Sequence, residues 1–280
     1  MTKIISVSNQ KGGVGKTTTA INLSSAIAAN NKKILLIDAD PQANATSGLG
    51  LEARIDGLST YELFISSRTL NECIKKTQVN NLDVITSNIN LVAAELELVE
   101  IPSRESVLKN KILNFLTEES NQNKYDYIFI DCPPSLGLIT VNALTAANSL
   151  LIPVQCEYYA LEGLSQLLNT IKNVKNIFNP SLNIEGYLLT MFDSRLKLSN
   201  QIESELRKFF GEKVFETKIF RNVKIGEAPS YGKPIIVYDR TSMGALNYIE
   251  LGKEFLRRNG EIVSDENTDE LKDNLKMNES

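Results

Sequence analysis

The chain has no histidine at all among its 280 residues. A Ser-His-Asp triad, a Cys-His nucleophile pair and an HExxH metal site are therefore excluded together. Cysteine is scarce: Cys73, Cys132 and Cys156 stand far apart, with no CxxC pair. That spacing makes neither a disulfide framework nor a zinc site and points to buried thiols in a reducing compartment. No apolar run is long enough to cross a bilayer. The sequence enters a strand pattern at Lys3-Ile4-Ile5-Ser6-Val7 with no basic, apolar leader before it, so the expected location is the cytoplasm.

Positive charge is also short, at a net −4, but it is unevenly spread. Residues 261–280 carry seven acids (Glu261, Asp265, Glu266, Asp269, Glu270, Asp273, Glu279) against Lys272 and Lys276. The body up to residue 260 is thus close to neutral and free to present a basic face. The expected division is one domain over 1–260 and an acidic, disordered tail over 261–280.

Short runs rich in Ile, Leu and Val recur: 3–8, 33–38, 125–131, 149–154 and 184–191 read as buried strands. Between and after them lie helical patterns, such as 17–30 with Ala20, Leu23 and Ile27, and 161–178 with Leu164, Leu167, Leu168, Ile171 and Val174. Strands alternating with helices imply an α/β fold: a mostly parallel twisted sheet with helices on both faces. Ligands in such folds bind beyond the carboxyl ends of the strands. Three chemically capable groups fall there: the glycine-rich loop after the first strand, Asp38 and Asp40 after the second, and Asp131 after a later one.

The loop reads Asn9-Gln10-Lys11-Gly12-Gly13-Val14-Gly15-Lys16-Thr17-Thr18. Its glycines let backbone N–H groups turn inward toward a phosphate, and the helix beginning near Lys16 adds the positive end of its dipole. Lys16 is placed to neutralise β and γ phosphates, and the Thr17 hydroxyl to ligate Mg²⁺. The usual P-loop pattern GxxxxGK[ST] is not met, because Gln10 stands where its first glycine belongs and a second lysine, Lys11, precedes the glycine pair.

These residues resemble the deviant Walker A motif of the ParA/MinD class of P-loop ATPases. Asp38-Ala39-Asp40-Pro41-Gln42-Ala43-Asn44-Ala45-Thr46-Ser47-Gly48-Leu49-Gly50 is similar to a stretch particular to the ParA branch, with Ala43 where that branch usually has glycine. The resemblance continues through Asp131-Cys132-Pro133-Pro134-Ser135, residues 189–195, 220–223 and 227–234, and spans residues 1 to about 258.

The resemblance implies a slow, switch-type Mg-ATP hydrolase. Lys11 would reach across an ATP-bound homodimer to the partner's phosphates. The run from Gly12 through Thr18 (Gly12, Gly13, Val14, Gly15, Lys16, Thr17, Thr18) would hold the nucleotide's phosphates, and Asp40 would position the attacking water. Asp38 would support Mg²⁺ from behind its water shell, and Asp131 would meet the ion as the Walker B acid. Met191, Phe192 and Pro229 would sandwich the adenine. Arg195 and Arg221, joined by Lys197, Lys208 and Lys224, would bind DNA without reading its sequence. The implied partners are a second copy, bulk DNA and a ParB-type centromere-binding protein, with nucleoid association in the ATP state. A MinD-like membrane-positioning ATPase is the first rival, but the acidic end does not suit a basic membrane-binding helix. An iron–sulfur ATPase lacks a second suitably placed cysteine, and a metabolic ATP-dependent enzyme on the same fold is opposed by the 38–50 and 227–234 segments.

Overall fold

The computed structural model describes residues 2–55, 57–157 and 160–263. Most of the expected acidic tail, from residue 264 on, lies outside them. Glu261 of that segment accepts an ion pair from Lys32 at 2.7 Å.

Seven strands form one sheet: β1 (Lys3–Val7), β2 (Ile34–Asp38), β3 (Ile74–Lys76), β4 (Leu82–Ile85), β5 (Tyr127–Asp131), β6 (Ser149–Gln155) and β7 (Asn183–Thr190). Their order is β3-β4-β2-β5-β1-β6-β7. Every pairing is parallel except β3 with β4 at the edge. The helices are α1 (Lys16–Ala28), α2 (Asn44–Gly48), α3 (Thr60–Ile65), α4 (Leu70–Cys73), α5 (Leu91–Glu97), α6 (Val107–Thr117), α7 (Leu138–Ala146), α8 (Ala160–Ile177), α9 (Lys197–Phe210), α10 (Val223–Glu227), α11 (Ile235–Tyr238) and α12 (Met243–Arg258).

The alternation of strand side chains sorts the core into two layers. Ile5, Val7, Ile34, Leu36 and Phe129 face one way and pack under α1 and α12 with Leu23, Ile27, Leu251 and Phe255. Ile4, Leu35, Ile37, Ile128 and Ile130 face the other way and pack with Leu63, Leu108, Ile112, Leu144, Leu167 and Leu206 from the helices opposite. Both faces are covered, as the near-continuous apolar strands require. This is the mostly parallel sheet with helices on both faces that the sequence implies.

The β3 and β4 strands have no counterpart among the strands expected from sequence. Ile74-Lys75-Lys76 is only three residues long, and Leu82-Asp83-Val84-Ile85 carries an acid in mid-run. That acid is satisfied locally: Asp83 takes a hydrogen bond from Tyr125 Oη at 2.6 Å and an ion pair from Lys76 at 2.9 Å.

Candidate nucleotide site

The central strands β2, β5 and β1 are neighbours, so their carboxyl ends place the three sequence-marked features side by side. In register, Val7 and Asp38 both pair with Asp131. The phosphate loop follows β1 and runs into α1. Gly13 and Gly15 sit at φ 75° and 85°, a left-handed backbone that β-carbons disfavour. A Cβ added at Gly12 or Gly13 would meet nothing within 4 Å, so the loop is an open cradle. Two side chains tie it down: Asn9 Nδ2 donates to the Pro153 carbonyl at 2.7 Å, and Thr190 Oγ1 to that of Val14 at 2.9 Å. Val14 itself is buried, so it can offer a ligand only its backbone.

No side chain caps the start of α1 and no acid lies in its first turn. Its leading N–H groups are left to an anion, which the helix dipole favours. Lys16 folds back over the loop, with Nζ donating to the Lys11 carbonyl at 3.1 Å. Its burial pulls the ammonium below its ordinary pKa, opposed by the charges of Asp131 and Asp40. Lys11 behaves otherwise: its side chain is about a third exposed (32%) and pairs with Glu157 of the same chain. Gln155 Nε2 donates to the same carboxylate.

The three aspartates are in different states. Asp38 is fully buried but satisfied: Oδ2 accepts from Thr46 N (2.8 Å) and Thr46 Oγ1 (2.7 Å), and Oδ1 from Asp40 N (3.2 Å). Burial nevertheless raises its pKa to about 6, against the pull of those hydrogen bonds. Asp40 Oδ1 accepts from Gln42 N at 2.9 Å, which shapes the turn. Asp131 is fully buried, and neither of its carboxylate oxygens makes a hydrogen bond of good geometry, although the Thr17 hydroxyl lies near enough to favour its charged form. Burial, and then the neighbouring Asp38, push its pKa well above the usual carboxylate range. An orphaned buried carboxylate is costly unless a ligand satisfies it. The donor set fits Mg²⁺: Asp131 and the Thr17 hydroxyl would hold the ion or its water, and Asp38 stands behind. Among the described residues no three acidic or sulfur side chains cluster tightly enough to cage a metal alone.

Ala43 lies at φ 52°, ψ 34° at the start of α2. A left-handed backbone is one that glycine adopts without the strain a Cβ brings, which fits the glycine that the resemblance implies at this position. Pro229 lines a cleft of about 290 Å³ beside the loop, with Thr17, Thr18, Asn22, Asn44 and Lys233. Phe192, which the resemblance implies in the adenine sandwich, has its ring inside the core. Its ring is buried (2% exposed), packed edge-on against Phe220 and beneath the Lys218 ammonium at 4.5 Å. An apolar ring at that position is worth more in the core than at a wet cleft. Met191 is half-buried and left-handed, at φ 49°.

The expected basic residues separate into two places. Phe192 pairs with Phe220, and Arg221 N donates to the Phe192 carbonyl at 3.1 Å. This brings Arg195 and Lys197 to the same end of the sheet as Arg221 and Lys224, and all four are exposed. Arg195 forks onto Asp193, and Lys224 pairs with Glu227. Lys208 is not part of this group. It lies in the last turn of α9, roughly 16 Å along the axis from Lys197 at 1.5 Å per residue. The sequence reading missed Thr46, Thr190 and Glu157. Thr46 and Thr190 lay inside the recognised 38–50 and 189–195 stretches, whereas Glu157 carries no local signal.

A family model for an AAA domain matches residues 2–184. Over 254 residues the chain is 54% identical to the sporulation initiation inhibitor protein Soj of Bacillus subtilis, covering 91% of this chain and 98% of that one. It is 50% identical to the chromosome partitioning protein ParA of Myxococcus xanthus over 256 residues, 91% and 88% of the two chains. Among solved structures it is similar to cobyrinic acid a,c-diamide synthase from Mycobacterium smegmatis with bound ADP and magnesium. There the TM-score is 0.78 at 32% identity, over 92% and 95% of the chains. No helix among the described residues is long and apolar enough to cross a membrane. With the phosphate cradle, the orphaned Asp131 and sequence identity of this extent, the chain belongs to the ParA/Soj family of chromosome-partitioning ATPases.

Proposed function

We propose that the protein is a Mg-ATP-controlled switch for DNA segregation that works as a dimer closing over its nucleotides. The observation that carries this reading is the contrast between the two loop lysines. Lys16 is buried over its own cradle, whereas Lys11 stands at the lip, partly exposed and held by an exposed glutamate. A cation there is available to a phosphate group approaching from outside the chain. Transfer of Lys11 from Glu157 to a partner's phosphates would link dimerisation to ATP, because the anion offsets the cost of burying an ammonium.

Bound Mg-ATP supplies the transferable phosphoryl group and the charge to which the site responds. Lys16 and the α1 N-terminus hold the phosphates and stabilise charge developing on them. Asp40 orients the attacking water. Asp38, through Thr46, fixes the start of α2 relative to β2, and Asp131 leads into the Cys132–Gly137 loop. Loops so placed report the presence of a γ-phosphate.

In the ATP-bound dimer the Arg195, Lys197, Arg221 and Lys224 groups of both copies would meet DNA phosphates, giving salt-sensitive binding without base reading. A ParB-type partner would stimulate hydrolysis and so release. The expected place of action is the cytoplasm, on the nucleoid in the ATP state. The likeness to a diamide synthase supports the shared ATP-binding core; identity of 50–54% over nine-tenths of the chain favours partitioning over ligase chemistry. The test is sedimentation with a non-hydrolysable ATP analogue. Lys11→Ala is expected to remain monomeric while still binding nucleotide, and a normal analogue-bound dimer from that variant refutes the in-trans role.

A further inference from the structure

We infer that the outward face of α5 and the turn after it is the docking surface for a basic, amphipathic segment of the stimulating partner. The inference rests on the partner reading above and locates its contact. Ile89, Val92, Leu96 and Val99 follow one another at steps of three, four and three residues and are 53%, 53%, 76% and 48% exposed. On a helix that spacing makes one stripe. The opposite face is the packed one, since Leu91, Ala94 and Leu98 are fully buried. Ile55, 62% exposed, extends the patch, because its carbonyl accepts from Asn90 Nδ2 at 3.2 Å. A contiguous apolar stripe of this kind marks an interaction site.

Charge selects the occupant. From Ile89 to Ser103 the chain has no base, and of its three acids Glu97 and Glu100 are exposed while Glu95 is taken up by α7; the nearest base, Arg104, donates to the Val99 carbonyl at 2.9 Å and is paired with Glu105. Two copies meeting through this face about a two-fold axis would set glutamates against glutamates, a costly arrangement. A helix with an apolar face and flanking lysines or arginines meets both the stripe and its rim.

The position of α5 gives such docking a consequence. In the segment that leads into it, four residues before its first turn, Ser87 N donates to Thr46 Oγ1 at 2.9 Å, and that hydroxyl donates onward to Asp38. In the middle of α5, Glu95 accepts from Leu138 N at 3.1 Å and Ile139 N at 3.3 Å, capping α7 directly after the loop that follows Asp131. The helix beneath the stripe and the segment leading into it therefore touch both regions that respond to the nucleotide, and a partner that shifts or stiffens α5 acts on the Asp131 loop directly and on Asp38 through Ser87 and Thr46.

The experiment uses the full chain with ATP and DNA and a full-length ParB-type protein from the same source. Binding, ATP turnover and analogue-dependent dimerisation are measured for Leu96→Glu and for Glu97→Lys/Glu100→Lys. Both changes are on exposed positions outside the nucleotide site. The expected result is at least about tenfold weaker partner binding and lost stimulation, with basal turnover and dimerisation unchanged. Wild-type stimulation retained in both variants overturns the surface alone. No stimulation of the wild type overturns the partner reading and the surface with it. Loss of dimerisation in Leu96→Glu overturns the assignment in favour of a second copy on this face.

Discussion

Replacing Glu157 by glutamine removes the charge that holds Lys11 in its own chain while keeping the side chain's shape. The pair is partly exposed on both sides, 32% for Lys11 and 48% for Glu157, and pairs of that kind contribute about 0.2–1 kcal/mol. If Lys11 must leave Glu157 to reach a partner's phosphates, the monomer loses that stabilisation when the dimer forms. Removing it favours the dimer by a factor of roughly 1.4–5 per site. Two symmetric sites give roughly 2–30-fold tighter association. Sedimentation velocity over a concentration series with a non-hydrolysable ATP analogue reads this directly. The gain should shrink at high salt, where the wild-type pair is already screened. An unchanged or weaker dimer for Glu157→Gln would show that the pair does not compete with dimerisation.

Thr46→Val removes the hydroxyl that bridges Asp38 to Ser87 N, leaving buried polar groups short of a partner at a cost of about 1–3 kcal/mol. A melting-temperature drop of roughly 2–10 °C is expected, and a drop under about 1 °C would contradict it. Ala43→Gly relieves a left-handed alanine, worth about 1–2 kcal/mol, against an entropy cost of about 0.5–1 kcal/mol in the unfolded chain. Denaturant titration should therefore find the variant neutral to about 1.5 kcal/mol more stable, and clear destabilisation would count against strain at this position. For Asp38 the folded pKa of about 6 lies above the ordinary 3.8. Between those values the unfolded chain has lost a proton that the folded one keeps, so nucleotide-free stability falls as pH rises across that window. A cation competes with that proton, so the stabilisation by Mg-ATP should grow over the same range. A thermal-shift increment that is flat with pH would refute the linkage.

The sheet, its helices and the phosphate loop were legible because each rests on local pattern: apolar runs of strand length, helical spacing, and glycines before a Lys-Thr pair. The three strand-end features could be named from sequence, and the strand order then made them neighbours. What stayed hidden depends on contacts distant in sequence. Glu157 meets Lys11 across 146 residues and Thr190 holds Val14 across 176, and no spacing rule reports either. Phe192 shows the converse. Its motif suggested a ligand surface, but packing against Phe220 and Lys218 decided its place. Lys208 was close to the other basic residues in sequence, and the helix between carried it away from them.

The most direct test of the switch is co-sedimentation of the full chain with unrelated DNA fragments, with ATP, with ADP and without nucleotide, at low and high salt. Binding only with ATP, indifferent to sequence and weakened by salt, is the predicted result. Binding that ignores the nucleotide, or none from a protein that still dimerises with ATP, would contradict it.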